Sequence, residues 1–284
     1  MIDRRGLLSG LGLAAIGALA PARLLAAPLD SVLASGVLRV AVYRDFQPWS
    51  WRRDGVLVGI DVDLGLEIAR RIGVKVDYLE LAAGEDVDED LRTAVWRGSL
   101  LGMAPADIML HVPYDREFAL RNDRVAIVAP YFRESFAMAC NGETTDCEVP
   151  PAQLKGKRLA AELDSIPDFY LSGSFGGVLR ADVRHVVSGS AAVNAVIDGS
   201  ADAAVATRAQ VENALHDSPG HATERKGPLP AMMSPGWDVA IAVKDNSRDL
   251  GDRVEAIMAE LVDSDAFKAI FAAYGVTYRP AISG

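Results

Sequence analysis

The chain is poor in the side chains from which most metal and nucleophile sites are built. It has two cysteines and four histidines in 284 residues. It also contains no Gly-x-Ser-x-Gly, His-Glu-x-x-His or Walker-type loop, the motifs that place a nucleophile, a zinc ion or a phosphate. The acidic stretch from Gly84 to Asp90 lacks the turn glycine and the closing glutamate of a calcium loop. We therefore expect no metal and no cofactor.

Positive charge is also scarce. The chain has 29 lysines and arginines against 39 acids, a net charge of -10. Removing residues 1–27, which carry three arginines and one aspartate, takes the net charge from -10 to -12. Nucleic acids and anionic membrane surfaces attract proteins that have a positive field. Neither is expected as a partner.

Long apolar runs are confined to the N-terminus. A charged segment containing Arg4 and Arg5 precedes an apolar run to Ala20, and small residues follow at Ala26 and Ala27. This is the three-part form of a secretory signal, and paired arginines indicate the twin-arginine route. The run is short for a membrane span, which disfavours an uncleaved anchor, and no cysteine follows it for a lipid. We expect a signal peptide over residues 1–27 and a soluble, monomeric mature chain in the periplasm.

The two cysteines are close in sequence. Cys140 and Cys147 are separated by six residues and have no neighbouring cysteine or histidine to complete a zinc site. An exported protein meets an oxidising compartment, where such a pair forms a small-loop disulfide. The alternative is two free buried thiols. The spacing favours the disulfide.

The most informative stretch runs from Leu38 to Tyr78. An apolar strand ends before an aromatic loop, and Pro48 prevents the strand from continuing. The pattern then predicts a helix capped by Asp61 and stopped at Gly73, followed by a second strand. Ligands of open α/β sheets bind at the carboxyl ends of the strands, which is where the aromatic loop lies.

This block resembles the periplasmic solute-binding proteins of family 3, the amino-acid-type receptors of ABC importers. The resemblance spans roughly residues 37–278. The family has a branch associated with quinoprotein alcohol dehydrogenases, and the chain could resemble that branch in particular. Its further landmarks occur in order along the chain: Asp115-Arg116 with Pro130-Tyr131, the segment Leu154 to Leu159, Asp202 to Val205, and the helix Phe267 to Tyr274. It implies a type II two-lobe α/β fold, with parallel-rich sheets, flanking helices and a double-crossover hinge.

The alternation of strand and helix signals agrees with such a layout. It predicts a discontinuous first lobe from residues 36–133 and 237–284, and a second lobe from residues 134–236. The chain is expected to cross between lobes near Pro130 to Phe136 and again near Gly236 to Val239. A double crossing of this kind allows the lobes to close on a ligand.

Arg116 is the expected anion anchor, because a guanidinium binds a carboxylate through two parallel hydrogen bonds. The resemblance implies this role through a Thr-x-x-Arg motif, which reads Pro113-Tyr114-Asp115-Arg116 in this chain. The arginine is kept and the threonine is lost. A surface ion pair of Arg116 with Asp115 or Glu117 is the alternative.

The second lobe departs from the amino-acid-binding pattern. Thr207 stands where the resemblance implies an aspartate for the ligand's ammonium group, and a desolvated ammonium without a carboxylate is costly. A standard α-amino acid is therefore not the expected ligand unless Asp61, Asp164 or another acid substitutes. Ser165 is expected either to offer a hydroxyl to the ligand or only to cap a helix.

Aromatic and histidine side chains of the first lobe complete the predicted site. They suit a flat or partly apolar ligand, although each is equally compatible with packing in the core. The predicted ligand-binding residues are Tyr43, Phe46, Trp49, His111, Tyr114, Arg116, Ser165 and Thr207.

The sequence therefore predicts a non-catalytic periplasmic binding protein. It would capture a small polar or anionic solute and present it to an inner-membrane ABC permease. The alternative is an accessory role beside a PQQ-dependent quinoprotein alcohol dehydrogenase. The acidic surface of this chain would suit a basic partner protein. A remote alternative is a dehydratase of cyclohexadienyl acids, with Glu162, Asp164 or His111 as positional candidates for a general acid.

Overall fold

The computed structural model describes residues 28–99, 102–218 and 220–283. The predicted signal peptide, residues 1–27, lies outside the described residues. The strands are β1 Val37–Tyr43, β2 Trp51–Arg53, β3 Val56–Val58, β4 Lys75–Leu81, β5 Ile108–Pro113, β6 Val125–Glu134, β7 Phe136–Asn141, β8 Leu159–Glu162, β9 Val183–Val186, β10 Ala203–Thr207, β11 Ala222–Glu224 and β12 Trp237–Lys244.

Helices alternate with these strands along most of the chain. They are α1 Pro28–Ser35, α2 Ile60–Ile72, α3 Val87–Leu91, α4 Arg116–Arg121, α5 Ile166–Gly173, α6 Gly189–Ile197, α7 Arg208–Asp217, α8 Arg248–Val262 and α9 Asp265–Ala272. A π-helical turn, Arg92–Trp96, continues α3, and short 3-10 turns occur at Pro151–Leu154, Phe175–Gly177 and Arg180–Asp182. Within the described ranges, no helix combines the length and apolarity needed to cross a bilayer.

Two five-stranded sheets organise the molecule. The first has the order β4-β1-β5-β12-β6, with β1 parallel to both neighbours and β12 antiparallel to both of its own. The second has the order β11-β7-β10-β8-β9, in which β8 is parallel to β9 and β10. We call each sheet with the helices packed on it the first lobe and the second lobe. The mixed sheets with flanking helices confirm the predicted fold class.

Helices cover both faces of each sheet. In β1, Leu38, Val40 and Val42 point into a core shared with α2, α8 and α9. Ala41 and Tyr43 point to the opposite face, where they pack against the α3 region. Successive side chains of a strand point to opposite faces, so this strand is apolar on both sides. In the second lobe, α5 covers one face of the sheet and α6 and α7 cover the other.

The chain passes between the sheets twice. β6 belongs to the first sheet and β7 to the second, with only Ser135 between them. The return runs into β12, whose first residue, Trp237, pairs with Glu134. The two crossings are therefore neighbours in space. This is the double-crossover hinge that the sequence predicts.

The start of α2 differs from the prediction. Asp61 does not cap this helix. It is the second helical residue, is fully buried, and is preceded by Gly59 at the N-cap position. Gly59 has φ +140°, and a Cβ there would lie 2.1 Å from the carbonyl oxygen of Trp49. The aromatic loop thus packs so tightly on the helix start that only glycine fits. The predicted stop is confirmed, because Gly73 ends α2 in the left-handed conformation.

The predicted disulfide is confirmed. Cys140 and Cys147 are bonded to each other, and both side chains are buried in the core of the second lobe. The bond connects the end of β7 to the loop that follows it. It therefore holds the segment leading from the hinge strand into the rest of the second lobe.

Candidate functional site

A cavity of about 510 Å³ lies between the strand ends of the two lobes. The carboxyl ends of β1, β4 and β5 reach it from the first lobe, and those of β8 and β9 reach it from the second. Ligands of open α/β sheets bind outside these strand ends. Its lining includes Tyr43, Arg44, Asp45, Phe46, Glu85, Asp86, Asp90, His111, Glu162, Ser188, Gln210 and Trp237.

The first-lobe wall of the cavity is aromatic. The rings of Tyr43 and Phe46 meet edge to face at 5.9 Å, and those of Phe46 and His111 do so at 4.9 Å. Trp49, which is fully buried, lies behind His111 with its ring centroid 4.4 Å away. Each ring is thus held by another ring. Such a wall presents an apolar surface of defined shape to a ligand.

A buried polar network supports His111 from below. The Tyr131 hydroxyl donates to Asp61 Oδ1 at 2.8 Å and accepts from the His111 backbone N–H at 3.2 Å. His111 Nδ1 lies 3.3 Å from Asp61 Oδ2, within ion-pair distance but without hydrogen-bond geometry. Burial and the adjacent carboxylate raise the pKa of Tyr131 well above its usual value, so this tyrosine remains a donor. The network orients the histidine at the cavity.

Asp90 anchors the other end of the aromatic wall. Its Oδ2 accepts from the Tyr43 hydroxyl at 2.8 Å, and its Oδ1 accepts from the Gly84 backbone N–H at 2.8 Å. Burial raises the pKa of Asp90. Asp86 caps α3 by accepting from Glu89 N. The acids of this loop therefore position the loop and Tyr43, and within the described residues no group of three or more His, Cys, Asp or Glu side chains is arranged to hold a metal.

The second-lobe wall is polar. Glu162 ends β8, and its Oε2 accepts from the Gly189 backbone N–H at 2.9 Å. Ser188 caps α6 by accepting from Ala191 N at 3.1 Å. A Cβ at Gly189 would lie 2.0 Å from Gln210 Oε1, so the glycine allows the starts of α6 and α7 to pack closely. Burial raises the pKa of Glu162, so this carboxyl group of the cavity keeps its proton to a higher pH than an exposed glutamate does.

The structure brings three of the predicted residues to this cavity: Tyr43, Phe46 and His111. It places Trp49 in the core instead. Ser165 caps α5, since its Oγ accepts from Asp168 N at 3.2 Å. Thr207 caps α7, where it forms a reciprocal capping box with Gln210.

Tyr114 and Arg116 lie elsewhere. They line a separate cavity of about 250 Å³ together with Asp115, Ala119 and Ile127. Asp115 caps α4, and Arg116 is the first residue of that helix, exposed to solvent. Arg116 does not line the first cavity because α4 starts after the end of β5 and carries this arginine away from the strand end. The cationic group expected beside the ligand is therefore absent from the described lining of the larger cavity.

Sequence reasoning missed several residues of the lining. Glu162 was considered only as a possible general acid and Asp90 only as part of an acidic loop, and Ser188, Gln210 and Trp237 were not considered. Two of them had a usable signal: Glu162 ends a strand and Ser188 begins a helix. Ligands of open α/β sheets bind at the carboxyl ends of the strands. This rule applies to Glu162 and Ser188 in the second lobe as it does to the aromatic loop in the first.

The two lobes touch each other beside the cavity. Gln47, in the aromatic loop, donates from Nε2 to Asn213 Oδ1 of α7 at 2.8 Å. Its carbonyl oxygen accepts from the Ser190 hydroxyl of α6 at 3.1 Å. Asn213 also donates to the Tyr274 carbonyl oxygen at 2.8 Å. These contacts hold the two cavity walls close together.

Comparison with known proteins gives one local sequence match. No family model matches the chain. The chain is 45% identical to a cyclohexadienyl dehydratase from Pseudomonas aeruginosa over 49 residues, which are 17% of this chain and 18% of the dehydratase. The match thus spans less than a fifth of either protein.

Solved structures match over most of the chain. An ancestral cationic amino acid solute-binding protein gives a TM-score of 0.69 at 18% identity, covering 87% of this chain and 99% of the other. An L-arginine-bound substrate-binding protein of an amino acid ABC transporter from Streptococcus pneumoniae gives 0.64 at 20%, covering 89% and 100%. A mutant of ArgBP from T. maritima gives 0.60 at 23%, covering 87% and 98%.

These neighbours agree with the resemblance seen in the sequence. At such identities the matches establish the fold, and the branch associated with quinoprotein dehydrogenases stays a hypothesis. Two sheets joined by a double crossing, a cavity between their strand ends and structural matches over most of the chain lead to the same conclusion. The chain has the two-lobe fold of the periplasmic solute-binding proteins.

Proposed function

We propose that this protein captures a small solute between its two lobes in the periplasm and delivers it to an inner-membrane ABC permease. The observation that carries the proposal is the cavity of about 510 Å³ between the strand ends of both lobes. Its volume is in the range of small-molecule sites, about 300 to 1,000 Å³. Residues 36–133 with 237–284, and residues 134–236, are proposed as the two bodies that move about the hinge.

The lining supports a neutral or cationic polar solute better than an anion. Arg116, the expected anion anchor, lines another cavity. Thr207 is engaged in capping α7. Neither end of an α-amino acid therefore has the partner that the sequence resemblance implies, which supports a ligand other than a standard amino acid.

A thermal-shift screen of the mature protein tests this proposal. A solute at one hundred times its Kd stabilises the folded state by about 2.7 kcal/mol, which raises the Tm by several degrees. We expect at least one metabolite of a broad panel to do so. Phe46→Ala should reduce the shift, whereas Leu120→Ala, which removes a 72% exposed side chain on α4, should leave it unchanged. No shift with any solute would contradict the proposal.

A dehydratase of cyclohexadienyl acids is a second candidate, because Glu162 and His111 line the same cavity. A glutamic acid whose pKa is raised by burial is suited to donate a proton to a leaving hydroxyl. The local match to cyclohexadienyl dehydratase also favours it. Turnover of prephenate or arogenate above background that is lost in Glu162→Gln would support this candidate. Absence of turnover in the wild-type protein would eliminate it.

A further inference from the structure

The charged side chains that line the cavity are mostly acidic. Carboxyl groups come from both lobes, and Arg44 is the basic residue among the described lining. The Arg44 side chain is 56% exposed and lies beside the exposed Asp45, with Nε 3.4 Å from Asp45 Oδ2, so its charge is screened by solvent and by the neighbouring acid. A cleft lined by one sign of charge concentrates ligands of the opposite sign. The lining carboxyl residues are Asp45, Glu85, Asp86, Asp90 and Glu162.

Glu162 is the carboxyl group best placed to pair with a ligand. Asp90 uses both oxygens within the first lobe, and Asp86 caps α3. Glu162 uses only Oε2, which the Gly189 N–H binds. Its Oε1 accepts no hydrogen bond from the described part of the chain. Because Glu162 is partly buried at a strand end, one oxygen is anchored and the other is left for a ligand.

The opposite wall provides independent support for a cationic ligand. Phe46 and Tyr43 offer aromatic surface, and the side chain of His111 is only 10% exposed. His111 Nδ1 makes no hydrogen bond, and the fully buried Asp61 lies directly behind it. Aromatic faces attract ammonium groups and also accommodate apolar ligand bodies. The buried carboxylate behind the wall adds to the negative potential.

A ligand carboxylate would lack a comparable partner. Arg116 lines the separate cavity, and Arg44, the basic residue of the lining, is more than half exposed beside Asp45. The hydroxyls of Ser165 and Thr207 are engaged at helix starts. Burying a carboxylate without a partner is strongly unfavourable, because the charge loses its hydration and gains no hydrogen bonds in return. We infer that the cavity selects a primary amine with an apolar or aromatic body and no carboxylate, with Glu162 as its counter-ion. This inference rests on the proposed solute-binding function and specifies its substrate class.

Three probes that share a phenylethyl group test the inference. They are 2-phenylethylamine, L-phenylalanine and 3-phenylpropionate, which present the amine alone, both groups, and the carboxylate alone. Isothermal titration of the mature protein should show the amine binding at least tenfold more tightly than phenylalanine, with no binding of phenylpropionate. Glu162→Gln should lower the amine affinity at least tenfold, since it removes the charge and keeps the shape.

Two control variants separate the site from general charge effects. Glu255→Gln makes the same charge change on the exposed face of α8, and Arg116→Ala alters the other cavity. Both should bind the amine within twofold of the wild-type protein. Phe46→Leu removes one ring from the aromatic wall and leaves Glu162 unchanged. It should lower the amine affinity about threefold. This variant keeps the test informative if Glu162→Gln folds poorly.

The outcomes distinguish this inference from the function on which it rests. Equal binding of phenylalanine or phenylpropionate, or unchanged amine binding by Glu162→Gln, would overturn the inference. If none of the probes binds but another solute of the thermal-shift panel does, the inference fails and the solute-binding function stands. If no solute of any kind binds, both fail.

Discussion

The two walls of the cavity are built in different ways. The first-lobe wall is a set of rings held by buried residues, with Trp49 and the Asp61–Tyr131 pair beneath it. The second-lobe wall consists of helix starts and of Glu162, whose main support is one backbone N–H. The first wall therefore shares its residues with the core of the lobe. The second wall does not.

This difference separates two kinds of contribution. The first wall gives the cavity its shape, and changes to it should be felt mainly as lost folding stability. The second wall gives the cavity part of its charge, and changes to it should be felt mainly as lost affinity. Substitutions on each wall can test that division.

The largest effect is expected from Trp49→Ala. Trp49 is fully buried and contacts His111, Phe132 and Phe271. Truncating a buried tryptophan removes apolar contacts and leaves a cavity, at a cost of about 3 to 5 kcal/mol. Urea denaturation should show this loss in the free energy of unfolding. Glu162→Gln should lose less than about 1 kcal/mol in the same assay, and equal losses would break the distinction between the walls.

The hinge between the walls gives the next effect. Glu134, at the end of β6, is fully buried, and burial raises its pKa from 4.5 to about 8, with Glu212 and Arg279 nearby. An acid whose pKa is higher in the folded state stabilises the fold below its unfolded pKa. That stabilisation is lost as the pH rises through the folded pKa.

The free energy of unfolding should therefore fall between pH 4.5 and pH 8. We expect a difference on the order of 4 kcal/mol to disappear in Glu134→Gln, because the pKa shift spans about 3.5 units at about 1.4 kcal/mol each and the amide does not ionise. Denaturation curves across this pH range measure the difference. Glu255→Gln, at an exposed position on α8, serves as the control and should keep the wild-type pH dependence. Identical pH profiles for wild type and Glu134→Gln would contradict the prediction.

The smallest effect concerns the contact between the walls. Gln47→Ala removes the hydrogen bond from Nε2 to Asn213 and leaves the backbone contact with Ser190. One such bond contributes about 1 kcal/mol, so solute affinity should fall about fivefold. Titration with a solute from the thermal-shift panel measures this. Gln153→Ala, at an exposed position, should bind normally, and equal affinities for both variants would show that the contact of Gln47 with Asn213 does not contribute to solute binding.

Local sequence signals predicted much of the fold. Gly73 ends α2, Ser165 caps α5 and the two cysteines pair, because each depends on neighbouring residues alone. The β2–β3 hairpin went unpredicted even though Asp54-Gly55, a turn with two positive φ values, is a strong local signal.

The candidate site was less predictable because its composition depends on tertiary placement. Asp61 is buried by Tyr131, which lies 70 residues later in the chain. Arg116 is turned from the cavity by the short helix that it begins. Glu162 reaches the cavity only because the second sheet faces the first. No pattern of adjacent residues records these relations.

A crystal structure with the solute that gives the largest thermal shift is the most direct test of the central claim. We predict electron density for that solute in the cavity between the lobes, in contact with Phe46 and within hydrogen-bond distance of Glu162. Density beside Arg116, with the cavity between the lobes empty, would contradict the account.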